Sequence, residues 1–185
     1  MARFELFYPI KPHRINQPWG VADTFYNQFG FSRHNGEDIN LFNGQAIYCP
    51  QDGKVVRVGN QPTGGGIFIG VLTKDKWDFP DGKSAYVLLD FLHLKQILVN
   101  QGTDVLMGDA IALGDNTGAS TGPHCHLQAR RVTENLVNID TNDANNSFDT
   151  APYWNGIYAQ DARSILQKLR MIRDTLLALF KGRPK

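Results

Sequence analysis

Thr121-Gly122-Pro123-His124-Cys125-His126-Leu127-Gln128-Ala129 is the stretch on which the reading of this chain turns. The Gly122-Pro123 step is a turn signal, so the two histidines open a strand as the chain leaves a loop. Side chains alternate across a strand, which puts His124 and His126 on one face and Cys125 on the other. Leu127, Ala129 and Val132 continue a mixed apolar and polar run of strand character. The chain has only 5 histidines. One of the others, His34, stands in His34-Asn35-Gly36-Glu37-Asp38. That interval is too long for neighbours on a strand, but Asn35-Gly36 favours a turn that folds the Asp38 carboxylate back beside the ring. A further one, His93, lies in Phe91-Leu92-His93-Leu94. Imidazoles and a carboxylate grouped in this way, with imidazoles to spare, suit an open catalytic zinc site. Zinc takes nitrogen and oxygen donors in tetrahedral geometry, and a catalytic site leaves one position for water.

The sequence around these groups reads as strands and turns. Val55-Val56-Arg57-Val58, Ile67-Phe68-Ile69-Gly70-Val71-Leu72 and Tyr86-Val87-Leu88-Leu89 have strand composition. Ile39 to Cys49 reads as strand or extended chain, Gly64-Gly65-Gly66 as a tight bend, and Lys74 to Lys83 as an extended hairpin tip. The predicted fold is mostly β: an antiparallel curved sheet or two-layer β-sandwich, with a C-terminal amphipathic helix. Four sections follow. Residues 1–30 form an N-terminal lead-in punctuated by Pro9, Pro12 and Pro18. Residues 31–139 form the β-rich core, residues 140–159 a polar loop or linker, and residues 160–185 the helix. In that last section Ala162, Ile165, Leu166, Leu169, Ile172, Leu176, Leu179 and Phe180 recur at helical spacing, with Arg163, Lys168, Arg170 and Arg173 largely off the stripe. Asp161 near the start, and Lys181 and Arg183 at the end, suit the helix dipole. Packing of this helix on the β domain is the favoured reading, association with another helix the next, and contact with an anionic membrane the weakest.

The motifs together resemble the LytM/lysostaphin-type zinc endopeptidases, peptidase family M23, whose architecture is a duplicated hybrid motif. The likeness rests on Gln17-Pro18-Trp19-Gly20, on the HxGxDI box at His34-Asn35-Gly36-Glu37-Asp38-Ile39, and on the hairpin at Ile47-Tyr48-Cys49-Pro50-Gln51-Asp52-Gly53-Lys54-Val55-Val56. It rests also on the glycine-rich lead from Gly108 to Pro123 into His124 and His126. The motifs occur in the family's order and cover roughly Pro9 to Arg131.

The resemblance implies that His34, Asp38 and His126 bind Zn2+ and that His93 and His124 are the catalytic imidazoles beside the metal. Which of the two is the general base stays open. It implies an endopeptidase acting on a peptidoglycan stem peptide or cross-bridge through metal-activated water. Two departures stand out. Cys125 occupies the usual leucine position between the paired histidines, where a small apolar thiol suits the buried side of a strand. Phe91 stands where a tyrosine is usual, two residues before His93. Zinc-free relatives that only activate cell-wall hydrolases lose ligands from these boxes, and here all are present. A histidine phosphocarrier of related architecture would need neither Asp38 nor the paired histidines.

Other residues and the composition bound the reading further. His13, between Lys11-Pro12 and Arg14, reads as solvated. Glu37 lacks the second histidine of an HExxH helix and reads as a solvent-facing turn residue. Cys49 and Cys125 could in principle pair, and free buried thiols are the plainer reading. At 185 residues, 42% of them hydrophobic, the chain is of single-domain size. Lys plus Arg is 19 against 18 for Asp plus Glu, a net charge of +1, which offers no footprint for nucleic acid. Met1 to Ile10 lacks the apolar core of a signal peptide. Action at the cell wall is therefore expected by another export route, on a phage particle, or on release at lysis, and a start of the gene placed too far downstream would explain the lack as well.

Overall fold

The computed structural model describes residues 3–142 and 144–181, with no side chains described for residues 179–181. The chain forms the strands β1 (Leu6–Tyr8), β2 (Ile15–Gln17), β3 (Glu37–Asn40), β4 (Ala46–Tyr48), β5 (Gly53–Gln61) and β6 (Gly66–Thr73). They are followed by β7 (Trp77–Asp78), β8 (Ser84–Ile97), β9 (Asp104–Val105), β10 (Ala110–Gly114), β11 (His124–Val132) and β12 (Trp154–Tyr158), and by the helix α1 (Ala159–Lys181). A 3₁₀ helix at Thr24–Phe29, capped by the Asp23 carboxylate accepting from Phe25 N–H at 2.9 Å, interrupts the lead-in.

The expected mostly β, antiparallel architecture is present. Ten strands form one sheet whose central order is β2-β3-β11-β8-β6-β5-β9, while β4 and β10 pair with each other, and β10 and β7 pair with β8. The long strand β8 is the spine. Its Tyr86–Leu92 stretch lies antiparallel to β11, and beyond His93 its Leu94–Ile97 stretch pairs with β10. The change of partner falls at a bulge, where His93 adopts a left-handed φ of 62° that non-glycine residues seldom occupy. Lys74 to Lys83 does make a hairpin tip, but it folds inward: Trp77 and Asp78 pair with Ala85 and Ser84, and Phe79 is buried.

Alternation along the strands separates two faces. Cys125, Leu127 and Ala129 of β11, Ile39 of β3 and Val87, Leu89 and Phe91 of β8 turn to one hydrophobic cluster. Burying such side chains is worth roughly 1.5–3 kcal/mol each, so this face fixes the strand register. Phe91 is fully buried there, so a tyrosine at this position would have placed its hydroxyl in the core and not at the histidines. Phe4, Leu6 and Ile10 close the cluster from the other side, together with Phe148, Tyr153 and Trp154. The polar 140–159 stretch is therefore packed against the core, and it ends in β12, which pairs in parallel with β1 as a separate two-stranded sheet.

The helix departs from its favoured reading. Only its first turns touch the β structure: Ala159 and Ala162 are buried, Arg163 pairs with Asp109, and Asp161 accepts from Lys11 Nζ at 2.8 Å. From Ile165 onward the apolar stripe is exposed through Leu166, Leu169, Ile172 and Leu176. The side chains of Leu179, Phe180 and Lys181, and all of Arg183, lie outside the described residues. Among the described residues no helix is long and apolar enough to cross a membrane.

Candidate metal centre

The register of β3 against β11 sets His126 directly opposite Asp38, with Cys125 opposite Ile39 and Leu127 opposite Glu37. Side chains facing each other across antiparallel strands have Cβ atoms about 4.5–5.5 Å apart, so the pairing itself delivers an imidazole and a carboxylate to one spot. The same alternation sends Glu37 to the core side. It is 1% exposed, accepts from Trp154 Nε1 at 3.0 Å, and burial pushes its carboxyl up. The expected solvent-facing turn position for Glu37 is thus corrected: it is a buried strand residue facing away from the histidines.

His34 reaches the pair from the loop ahead of β3. Its Nε2 lies 3.1 Å from Asp38 Oδ1 and 3.0 Å from His126 Nδ1, and the last two atoms are 3.0 Å apart. The lead-in fixes this ring. His34 Nδ1 donates to the Pro18 carbonyl at 2.9 Å, and Gly20 N–H donates to the His34 carbonyl at 2.9 Å. A carbonyl only accepts, so the proton sits on Nδ1 and the Nε2 lone pair points inward. Tyr26, on the 3₁₀ helix, stacks on His34 with centroids 5.2 Å apart. Burial raises its pKa to about 12.

Gly36 makes room for the third corner. A Cβ at that position would stand 2.5 Å from His126 Nε2 and 2.6 Å from the Leu127 carbonyl oxygen. The glycine of the His34–Asp38 box is therefore required by close approach, since no side chain fits between the loop and the ring.

Two more imidazoles flank this triangle. His124 Nε2 is 3.5 Å from Asp38 Oδ1, and its Nδ1 donates to the Gly122 carbonyl at 2.8 Å. His93 donates from Nδ1 to the Thr117 carbonyl at 2.7 Å, with its ring 4.8 Å from that of His124 and 6.1 Å from that of His126. The left-handed backbone at His93, anchored by its N–H to the Gly65 carbonyl at 2.8 Å, turns the ring toward the others. All five residues predicted for the site, His34, Asp38, His93, His124 and His126, are thus brought together. Pro18, Thr117 and Gly122 stand inside motifs quoted above, but the roles of their carbonyls, and that of Tyr26, are not legible there, because a backbone acceptor has no residue signature and Tyr26 lies outside the motifs.

The electrostatics follow from burial. Desolvation alone would raise Asp38, but the imidazoles of His126 and His34 against it hold its carboxyl well below the usual range. Burial lowers His126, and it lowers His93 to about 4. Burial also raises the Cys125 thiol, which lies on the opposite face with no exposure and disfavours a thiolate. Cys49 and Cys125 are both free.

Whether the triangle fits a metal is decided by its donors. His34 Nε2, His126 Nδ1 and Asp38 Oδ1 converge at 3.0–3.1 Å, near the edge of about 3.3 Å for a tetrahedron with bonds of about 2.0–2.1 Å. The inward lone pair of His34 and the carboxylate compete for the single proton that His126 Nδ1 can offer, and a divalent cation satisfies all three. Inner and outer sides differ: His34 and His126 are 1% and 6% exposed, while the Asp38 and His124 side chains are each 14% exposed. A groove of about 360 Å³ borders the cage on its His93 and His126 side and is lined also by Tyr26 and Phe68.

A sheet-borne histidine–aspartate–histidine cage with spare imidazoles beside it has the donor set of an open metal site. The chain belongs to peptidase family M23, whose model matches residues 32–140. It is 34% identical over 122 residues to an uncharacterized metalloprotease of Haemophilus influenzae, across 65% of this chain and 24% of that protein. It is 35% identical over 95 residues to the peptidoglycan DD-endopeptidase ShyA of Vibrio cholerae, across 51% of this chain and 20% of the relative. The chain thus spans about a quarter or less of the length of these curated relatives. Among solved structures, a zinc containing peptidase from Vibrio cholerae matches with TM-score 0.60 and 26% identity over 80% of this chain and 40% of the other. The catalytic domain of lysostaphin from Staphylococcus simulans shares the fold, with TM-score 0.59 and 24% identity over 76% and 91%.

Proposed function

We propose that this chain is a zinc-dependent endopeptidase that hydrolyses peptide bonds of bacterial peptidoglycan, with residues 31–139 as the peptidase core. The lead-in of residues 1–30 and the 140–159 stretch support that core, and the helix from 160 onward is appended to it. The observation that carries this reading is the convergence of His34 Nε2, His126 Nδ1 and Asp38 Oδ1 at 3.0–3.1 Å beside two further imidazoles, at the edge of an open groove. The named activity of the 35% identical relative supports the substrate class, and the zinc-containing structural relative supports the metal.

When bound, zinc polarises a scissile carbonyl and makes water a competent nucleophile near neutral pH. His34, Asp38 and His126 hold it. Asp38 supplies the one negative charge and stays ionised, while Pro18 and Gly36 fix the two rings. His124 and His93 handle protons. Each has Nδ1 committed to a backbone carbonyl, so each presents an Nε2 lone pair. His93, held near 4 by burial, stays a neutral base across the working range. A lone pair that has taken a proton becomes an N–H donor, able to stabilise the developing oxyanion and to return the proton to the leaving amine. The site of action is the cell wall, reached by export, on a phage particle, or on lysis.

The test is digestion of purified peptidoglycan of several chemotypes, with elemental analysis of the protein and mass analysis of the released fragments. Stoichiometric zinc and new peptide amino termini are expected. Zinc-loaded protein that releases no peptide fragments from any chemotype would overturn the reading.

A further inference from the structure

Beyond the metal cage, the floor of the same groove carries charge that the reaction chemistry does not use. Asp90 on β8 is fully buried and lies between two guanidinium groups. Arg57 of β5 donates from Nε to Asp90 Oδ1 at 2.7 Å and pairs through Nη2 with Oδ2, and Arg130 of β11 donates from Nη2 to Oδ2 at 3.0 Å. One carboxylate against two guanidinium groups leaves one positive charge in excess. Among the described residues lining the groove there is no aspartate or glutamate to balance it.

The arrangement is built and not incidental. Gly70 sits beneath it, where a Cβ would stand 2.5 Å from Asp90 Oδ1 and 2.6 Å from Arg57 Cγ. Arg57 packs over the Phe68 ring at 5.7 Å, which holds its plane. Two buried donors remain without an acceptor, Arg130 Nε and Gln128 Nε2. Gln128 is 4% exposed and follows His126 on the same face of β11. Buried donors are almost always paired, so these two hydrogen bonds go to groups outside the chain, water or ligand. The Arg57 side chain, 39% exposed, is the part of the cluster open to the groove.

We infer that this floor is a carboxylate-binding subsite, in which Arg57, backed by Asp90, Arg130 and Gln128, seats a free carboxylate of the peptide next to the scissile bond. The inference rests on the proposed function and deepens it, naming the substrate as an anionic peptide. Asp90 holds the guanidinium planes in place, and Arg57 offers the bidentate geometry that suits a carboxylate.

The test uses two muropeptide dimers, identical except that the side-chain carboxylates beside the crosslink are free in one and carboxamides in the other. The zinc-loaded chain is expected to cut the free acid with kcat/KM about tenfold higher, the size of one charge-assisted hydrogen bond in a wet groove. Arg57→Gln should bring the ratio of the two kcat/KM values down to about one by slowing the free acid far more than the amide, while Arg57→Lys keeps part of the preference. Calorimetry on His124→Ala, whose turnover is slowed, measures the same preference as binding, and raising the salt concentration should shrink it. Equal kcat/KM for the two dimers, or equal slowing of both by Arg57→Gln, overturns the subsite and leaves the endopeptidase standing. Preferential binding of the free acid with no cleavage supports the subsite and overturns the endopeptidase. Neither cleavage nor binding overturns both.

Discussion

His93 is a buried and His13 a half-buried imidazole, and burial lowers the pKa of each to about 4. Their surroundings have nothing else in common. His93 has one nitrogen tied to the Thr117 carbonyl and stands in the groove beside other imidazoles. His13 is sandwiched among aromatics, stacked on Tyr8 at 4.0 Å and 4.7 Å from Trp154, and neither of its ring nitrogens has a hydrogen-bond partner. It therefore corrects the expectation of a solvated residue. The difference teaches that a lowered pKa is not a mark of function. What separates the two is whether a backbone carbonyl fixes the tautomer and turns the other nitrogen toward a reacting partner.

The largest effects are expected where lone pairs converge. His126→Ala and Asp38→Ala remove one corner of the triangle each, and both should lose bound metal and peptide cleavage together. His13→Ala should lose neither. Elemental analysis beside a cleavage assay checks all three, and metal retained in His126→Ala would mean that the donors lie elsewhere. His124→Ala comes next. Its ring lies beside the triangle and not within it, so zinc should stay while turnover falls by about 10²–10⁴-fold, the usual contribution of a positioned acid or base. A variant as active as the parent would remove His124 from the chemistry.

How much of this was legible follows the same division. Period-two alternation was enough to put His124 and His126 on one face and Cys125 on the other, since it depends on one strand alone. The same rule applied to β3 would have sent Glu37 inward once Asp38 faced the metal. What hid it was the identification of the stretch as a turn, and Trp154, its partner, is remote in sequence. His13 was misread for a similar reason: Lys11, Pro12 and Arg14 give it polar neighbours, while Tyr8, Trp154 and Tyr158 bury it through the β1–β12 pairing. In the polar 140–159 stretch, composition obscured the packing of Phe148, Tyr153 and Trp154 against the core. Helical spacing located α1, but periodicity reports a face and not what lies against it. The stripe from Ile165 is accordingly present and exposed.

Gly36→Ala tests whether the cage depends on close packing around His126. The new methyl would stand 2.5 Å from Nε2 of that ring, on the side away from the metal donor, so it must push either the ring or the loop carrying His34. A disturbed supporting shell typically costs about 10–100-fold in metal affinity or activity. Competition with a chelator of known affinity reads this directly. Affinity equal to the parent's would mean that the loop yields without moving the donors. No counterpart exists around His13, where the surroundings are aromatic faces and a substitution has no donor to displace.

The smallest effect concerns His13 and is read in stability. Its folded pKa is about 4 against an ordinary value of 6.5. Between these values the unfolded chain takes up a proton that the folded chain refuses, so stability rises with pH across the window. The contribution is fully present above pH 6.5, is lost as pH falls toward 4, and declines no further below that. His93 titrates in the same window, so the two must be separated. His13→Phe keeps a flat ring among Tyr8, Trp154 and Tyr158 and removes two unpartnered nitrogens, so the melting temperature at pH 7 should hold or rise by a few degrees. The drop between pH 7 and pH 5 should then shrink to the part that His93 and the cage supply. An unchanged drop would place the whole pH dependence at the metal centre. The aromatic pocket of His13 would then be open enough to water for its imidazole to titrate as it does in an unfolded chain.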